Sequence, residues 1–216
     1  MKDKLRLKYA LFFAVLVLAL IWGVWLWEIS LHKDFSRWGI LPRTLSGLKG
    51  IILAPLVHAN LKHLYSNSIP LFVLTFSLFY FHPARALKIL LVSWISTGTI
   101  VWLIARPAYH IGASGVVYAL TAFHFFYGII SARKEMLAIS LIVVFLYGSA
   151  IWGMLPSLAF DVSWESHAAG YFTGLIIALF VPVDKNKDDD DDTSRKSHDF
   201  ELNPDLPVDF DYEYKE

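Results

Sequence analysis

Two stretches of sequence, GASGVVYALTAFHFFYGIIS over residues 112–131 and HAAGYFTGLIIALFVPV over residues 167–183, decide how this chain folds. Each begins with small residues and one polar side chain, Ser114 or His167, and then continues as an apolar run. A helix of about 20 apolar residues spans the roughly 30 Å hydrocarbon core of a bilayer. Both stretches therefore predict membrane-spanning helices that carry a polar residue at one end.

The rest of the chain has the same apolar character. Hydrophobic residues make up 56% of the sequence, whereas soluble domains are roughly 45–50% apolar. This share excludes an ordinary soluble domain and predicts an all-α membrane protein. The number of long apolar stretches predicts a bundle of six transmembrane helices. Because the chain has no cysteine, disulfides and thiolate metal sites are excluded as well. The expected spans are Tyr9–Trp27, His63–Phe81, Ala86–Ala105, Ser114–Ser131, Met136–Met154 and His167–Val183.

Charge divides the chain near Val183. Residues 184–216 carry thirteen acidic and five basic side chains, whereas residues 1–183 carry six acidic and fourteen basic ones. The acidic segment is too poor in aliphatic residues to bury the apolar surface that would offset its chain entropy, so it should be disordered. We therefore expect a membrane domain over residues 1–183 and a disordered acidic tail over residues 184–216.

Basic residues near the helix ends predict the orientation, since cytoplasmic loops carry an excess of lysine and arginine. Such residues precede the first span, follow the second, fourth and sixth spans, and comprise Lys2, Lys4, Arg6, Lys8, Arg85, Lys88, Arg133, Lys134, Lys185 and Lys187. We therefore expect a multi-pass protein of the cell membrane with cytoplasmic N- and C-termini. The second, fourth and sixth spans then begin at the outer face, where they bring together His63, Asn67, Ser114 and His167.

The serine and the histidine at two of these helix starts predict catalysis, because polar and ionisable groups inside a membrane are costly and usually functional. A serine hydroxyl needs a base to act as a nucleophile at neutral pH, and His167 can supply it. His167, Gly170 and Gly174 share one helical face, where the glycines permit a close approach to the helix that begins at Ser114. We therefore predict a Ser114–His167 dyad without an acidic third member.

His63 and Asn67 are four residues apart and share one face of the second span. Both side chains can donate hydrogen bonds, so they are candidates for stabilising an oxyanion in the transition state. The alternative is that they only form polar contacts between helices, as such residues often do in membranes.

Three further residues are expected to support the nucleophile. Gly112 and Gly115 leave the backbone around Ser114 free, and the start of the helix presents unpaired N–H groups to a developing oxyanion. Tyr118 lies four residues after Ser114 on the same helical face. We expect its ring to orient the imidazole of His167 in place of an acid.

Taken together, these motifs resemble the rhomboid family of intramembrane serine proteases. They span residues 58–174 in the family's order: HANLKH at 58–63 followed by Asn67, GASG at 112–115 with Tyr118, and His167 with Gly170 and Gly174. The resemblance implies the six-helix bacterial form and the roles predicted above for the serine, the histidines, the asparagine and the tyrosine. The Trp-Arg pair often found in the family's first loop is replaced here by Arg37-Trp38.

The resemblance also implies an active site that opens to water on the outer side and cleaves single-pass membrane proteins near a helix end. The expected partners are therefore single-pass transmembrane substrates and the lipid bilayer, without nucleic acid, metal or cofactor. Two other classes stay open. One is a catalytically inactive rhomboid-like module that binds membrane proteins. The other is a histidine-lined metal transporter, for which the candidate ligands are His58, His63, His110, His124 and His167.

Overall fold

The structure is a computed structural model and describes residues 3–146 and 163–183. Within these ranges the chain forms helices and one isolated β-bridge, without a β-strand. Three short 3-10 helices lie at Ser36–Trp38, Leu45–Gly47 and Ala54–Leu56. The α-helices are α1 (Asp3–Leu31), α2 (Gly50–Leu53), α3 (Leu61–Phe81), α4 (Ala86–Ile104), α5 (Ser114–Ile130), α6 (Lys134–Leu146) and α7 (Trp164–Phe180).

The lengths and compositions of these helices are those of a membrane protein. By length and composition, α1, α3 and α4 can each cross a bilayer. Helices α5 and α7 have 17 residues each, which is the lower end of the roughly 17–25 residues used by transmembrane helices. The predicted all-helical, multi-pass membrane fold is confirmed at this level. Six spans stay a prediction, because the fifth expected span extends beyond the described ranges. The acidic tail also stays a prediction, because residues 184–216 lie outside them.

Helices α5 and α7 form the most closely packed pair. A Cβ atom added at Gly170 would collide with the carbonyl oxygen of Gly115, and one at Gly174 would collide with the carbonyl oxygen of Ala119. The two backbones are therefore in direct contact along this face, as the glycine spacing predicts. Around this pair, α1 packs on α3, while α3 and α4 pack on α5 and α4 also packs on α7.

Capping residues set where two of the helices begin. Asn60 caps α3 by accepting a hydrogen bond from the backbone N–H of His63 at 2.8 Å, and Ser163 caps α7 by accepting one from Ser166 at 3.3 Å. Because a serine N-cap starts a helix at the next residue, α7 begins at Trp164. His167 therefore lies at the fourth position of its helix, whereas the sequence predicts it at the first.

The long connection between α1 and α3 is fixed to the end of α4 by polar contacts. The guanidinium of Arg43 donates to the carbonyl oxygens of Leu103 and Ala105 at 3.2 and 2.9 Å. The indole of Trp102 donates in return to the carbonyl oxygen of Thr44 at 2.9 Å. The bonds from Arg43 satisfy carbonyls at the C-terminal end of α4 that lack a helical partner, and all three bonds hold the connection in one place.

Aromatic packing fixes the start of the same connection to α1. Trp38 stacks on Phe35 with ring centroids 4.2 Å apart and meets the edge of Trp27 on α1 at 5.5 Å. Arg37, which precedes Trp38, is exposed. In the reversed Arg-Trp pair the tryptophan therefore supplies the packing, and Arg43 supplies the hydrogen bonds that join this connection to α4.

We predict that Gly174→Ala destabilises the protein, because the new Cβ would collide with the Ala119 carbonyl and lie 2.8 Å from the amide nitrogen of Phe123. Overpacking of this kind costs about 1–3 kcal/mol. The midpoint of thermal unfolding in detergent micelles should fall accordingly. Gly23→Ala on α1 is the matched control, since a Cβ there meets nothing within 4 Å. Equal midpoints for the two variants would contradict the close packing of α5 on α7.

Candidate active site

Ser114 is the first residue of α5, and the backbone before it makes a sharp turn. Gly112 has a φ of +103°, a conformation that favours glycine because residues with a side chain are strained there. Its N–H donates to the carbonyl oxygen of Ala54 at 2.9 Å. Gly115, by contrast, is helical, and its missing side chain leaves room for the carbonyl oxygen of Ser166 on α7. The turn presents the hydroxyl of Ser114 and the free N–H groups of the first turn of α5.

His167 reaches Ser114 across the α5–α7 contact. Its Nε2 lies 2.9 Å from the Oγ of Ser114, which is hydrogen-bond distance. The imidazole stacks on the ring of Tyr118, with centroids 4.2 Å apart and planes 12° apart. His167 is buried and Ser114 is half-buried. The structure therefore brings together a hydroxyl, a base and an aromatic ring that fixes the plane of that base.

The structure also places His63 and Asn67 beside the turn that precedes Ser114. A Cβ atom added at Gly112 would lie 2.6 Å from the Nε2 of His63 and 3.7 Å from the Nδ2 of Asn67. The Asn67 amide is buried and donates one hydrogen bond to the carbonyl oxygen of His63 at 3.2 Å. Because the amide has two N–H bonds, the other can serve a further acceptor. All four polar residues predicted from the sequence thus lie around one turn.

The contact between His58 and His63 was not predicted from the sequence. His58 lies in the connection before α3, and its ring meets the edge of the His63 imidazole with centroids 5.1 Å apart. Burial, aided by the nearby His63, lowers the pKa of His58 to about 4, so the side chain is neutral at pH 7. The two histidines lie on either side of the Asn60 cap, and a spacing of five residues across a helix start was the available signal.

The acid nearest to His167 in sequence is oriented by a different residue. The Oε1 of Glu165 lies 3.5 Å from the Nε of Arg106 and 3.4 Å from its backbone nitrogen. Glu165 is buried, with 6% of its side chain exposed. Its carboxylate therefore joins the start of α7 to the beginning of the α4–α5 connection.

Comparisons with known proteins identify the family of this chain. The family model described as Rhomboid domain matches residues 45–183, which include Ser114, His167, His63 and Asn67. A curated mouse protein, Rhomboid-related protein 2, is 30% identical over 137 residues, covering 58% of this chain and 45% of the mouse protein.

Two mycobacterial proteins are also similar. An uncharacterized protein of Mycobacterium tuberculosis is 36% identical over 157 residues, which cover 69% of this chain. One of Mycobacterium leprae is 32% identical over 178 residues, covering 79% of this chain and 70% of that protein. The matched part of the chain spans 65% of the length of the Mycobacterium tuberculosis relative. The extent of the family match shows that this chain belongs to the rhomboid family.

Proposed function

We propose that this rhomboid is an intramembrane serine endopeptidase that hydrolyses peptide bonds in or near the transmembrane segments of single-pass membrane proteins. One observation carries the proposal: the Oγ of Ser114 lies 2.9 Å from the Nε2 of His167 at the start of an apolar helix. A serine and a histidine in hydrogen-bond contact are the components of an activated nucleophile. No cofactor is needed for this chemistry, and the lipid bilayer supplies the substrates.

The dyad can perform both halves of peptide hydrolysis. As the Oγ of Ser114 attacks the carbonyl carbon, the Nε2 of His167 takes the hydroxyl proton and then delivers it to the leaving amine. The acyl group stays on Ser114. A water molecule then attacks the acyl carbon and gives its proton to His167. His167 passes this proton to the Oγ of Ser114 as the bond to the acyl carbon breaks and the acid product leaves. Tyr118 holds the imidazole in the plane required for both transfers.

The negative charge on the carbonyl oxygen needs donors that are already in place. The imidazole of His63, the free N–H of the Asn67 amide and the backbone N–H of Ser114 surround one turn. They are the donors that we assign to the oxyanion. A preorganised donor of this kind is worth about 10²–10³ in rate. Gly112 is essential to the arrangement, because any side chain there would occupy the space of the His63 ring.

An inactive rhomboid-like binding module is the first alternative. It would need the helices and the packing glycines, yet it would have no use for Ser114 and His167 at hydrogen-bond distance. A metal transporter is the second. Within the described ranges no three potential ligand side chains lie close enough to bind a metal ion. His58 and His63 contact each other, but other candidate histidines bond separate partners. His110, for example, bonds Ser163, and His124 bonds the carbonyl oxygen of Leu120.

Removing either member of the dyad should abolish activity. Ser114→Ala and His167→Ala should lower cleavage of a purified single-pass substrate in proteoliposomes to the background rate, because neither residue activates a nucleophile alone. Ser114→Ala should also lose labelling by a fluorophosphonate. Ser131→Ala is the matched control, since it lies at the other end of α5, and should keep the parental rate. Cleavage by purified Ser114→Ala protein, or loss of activity in EDTA that zinc restores, would overturn the assignment.

Removing an oxyanion donor should slow the reaction without stopping it. His63→Ala and Asn67→Ala should each lower kcat by about 10- to 1,000-fold, while fluorophosphonate still labels Ser114 to completion. The matched control is Ser66→Ala, because Ser66 is exposed on the same helix and bonds only the carbonyl oxygen of its own turn. If both donor variants kept the parental kcat, His63 and Asn67 would be packing residues.

The active site should face outward, because lysine and arginine are concentrated at the helix ends on the other side of the membrane from it. The acidic segment follows one of these basic ends and should therefore lie in the cytoplasm. A reporter fused after residue 216 should be active only in the cytoplasm. A chain ending at Lys187 keeps the basic flank of α7 and should cleave the same substrate at close to the full-length rate. A reporter found outside the cytoplasm would contradict the predicted orientation. A truncated chain that folds but does not cleave would show that residues 188–216 are needed for activity.

A further inference from the structure

A second serine–histidine contact lies beside the dyad. The Nδ1 of His110 is 2.6 Å from the Oγ of Ser163. His110 precedes Ser114 by four residues, and Ser163 precedes His167 by four. Two serine–histidine contacts four residues apart therefore join the segment before α5 to the start of α7. In the second contact the histidine belongs to the first segment and the serine to the other, which is the reverse of the dyad. Nothing in the proposed proton transfers uses this second pair.

Backbone and side-chain bonds fix the ring of His110. Its backbone forms a β-bridge with Ile40, in which both N–H···O distances are 2.9 Å. Its Nε2 lies 3.0 Å from the carbonyl oxygen of Arg106, which can only accept, so the Nε2 carries a hydrogen. His110 is 3% exposed, and burial lowers its pKa. In the neutral ring the Nδ1 accepts, and the hydroxyl of Ser163 is therefore the donor.

Ser163 transmits this contact to the helix that carries the base. It is the N-cap of α7, where its Oγ accepts from the backbone N–H of Ser166 and lies 2.6 Å from the hydroxyl of the same residue. A cap fixes the direction of the first helical turn, and His167 follows Ser166 in that turn. With its hydroxyl hydrogen directed to His110, Ser163 is held in one rotamer. The contact thus joins His110 to the residue that caps α7.

We propose that His110 is a positioning residue, whose hydrogen bond to Ser163 holds the segment before Ser114 against the start of α7 and so sets the distance within the dyad. The inference rests on the proposed peptidase activity. The ion pair between Arg106 and Glu165 joins the same two elements at a second point. Two contacts prevent α7 from rotating against α5, which the glycine-lined contact alone would allow. Because a misplacement of about 1 Å can cost about 100-fold in rate, such contacts matter for kcat.

Three substitutions at His110 separate the contact with Ser163 from the contact with Arg106. His110→Asn keeps an acceptor at the place of Nδ1, His110→Gln keeps a donor at the place of Nε2, and His110→Leu keeps neither. We expect kcat per labelled Ser114 to fall about 10- to 100-fold in the glutamine and leucine variants with KM changed less than about twofold. The asparagine variant should stay within about threefold of the parent. His32→Asn, an exposed histidine, is the matched control.

Substitution of Ser163 tests the other end of the same bond. Ser163→Ala should lower kcat as His110→Gln does. Ser163→Thr keeps the hydroxyl and should therefore keep a kcat close to that of the parent. The double variant His110→Gln/Ser163→Ala should be no slower than Ser163→Ala alone, because Ser163→Ala already removes the bond that His110→Gln removes. Labelling by fluorophosphonate counts folded active sites, so a loss of folded protein is not mistaken for a loss of kcat. If His110→Gln does not fold, the alanine and threonine variants of Ser163 carry the comparison.

The outcomes distinguish this inference from the proposed function. If the parent cleaves and Ser114→Ala does not, but His110→Gln and Ser163→Ala keep the parental kcat, the positioning role is wrong and the peptidase stands. Additive losses in the double variant would likewise show that the two side chains act separately. A parent that neither cleaves nor reacts with fluorophosphonate would overturn both proposals.

Discussion

The direct contact between the backbones of α5 and α7 is the constraint on which the rest of this structure depends. Gly170 and Gly174 lie against the carbonyl oxygens of Gly115 and Ala119, where no side chain fits. In lipid the hydrophobic effect does not drive one apolar helix against another, so close packing of small residues has to supply the association. The same approach brings the imidazole of His167 within hydrogen-bond distance of a serine on the neighbouring helix. Helix packing and the proposed chemistry therefore share one interface.

The polar residues of the site are concentrated at helix starts, and the physical reason is the cost of unpaired polar groups in a membrane. Helix starts offer N–H groups that need acceptors, and connections between helices offer carbonyls that need donors. The α1–α3 connection uses this complementarity when Arg43 binds the carbonyls at the end of α4 and Ile40 pairs with His110. A connection fixed in this way supports the turn at Gly112. Ser114, the proposed nucleophile, is therefore placed by the loop before it as much as by its own helix.

The sequence predicts the features that follow helical periodicity. The spacing of His167, Gly170 and Gly174 predicts a shared face, and the structure shows those glycines against α5. Contacts between irregular segments could not be predicted, because no repeat relates a residue in one connection to a residue in another. The bridge between Ile40 and His110, which joins two connections, belongs to this class. The start of α7 was not predicted either, because the cap at Ser163 begins the helix at Trp164 and places His167 at its fourth position.

The coarse and the fine geometry of the site have different physical origins. Glycine packing determines that α5 and α7 touch, yet a smooth contact between small residues leaves rotation and sliding weakly opposed. Individual hydrogen bonds between membrane helices contribute only about 0.6 kcal/mol on average, so the bond between His110 and Ser163 adds little to overall stability. In the proposed mechanism the role of this bond and of the contact between Arg106 and Glu165 is to restrict the orientation of α7, because catalysis by a hydrogen-bonded pair depends on that orientation.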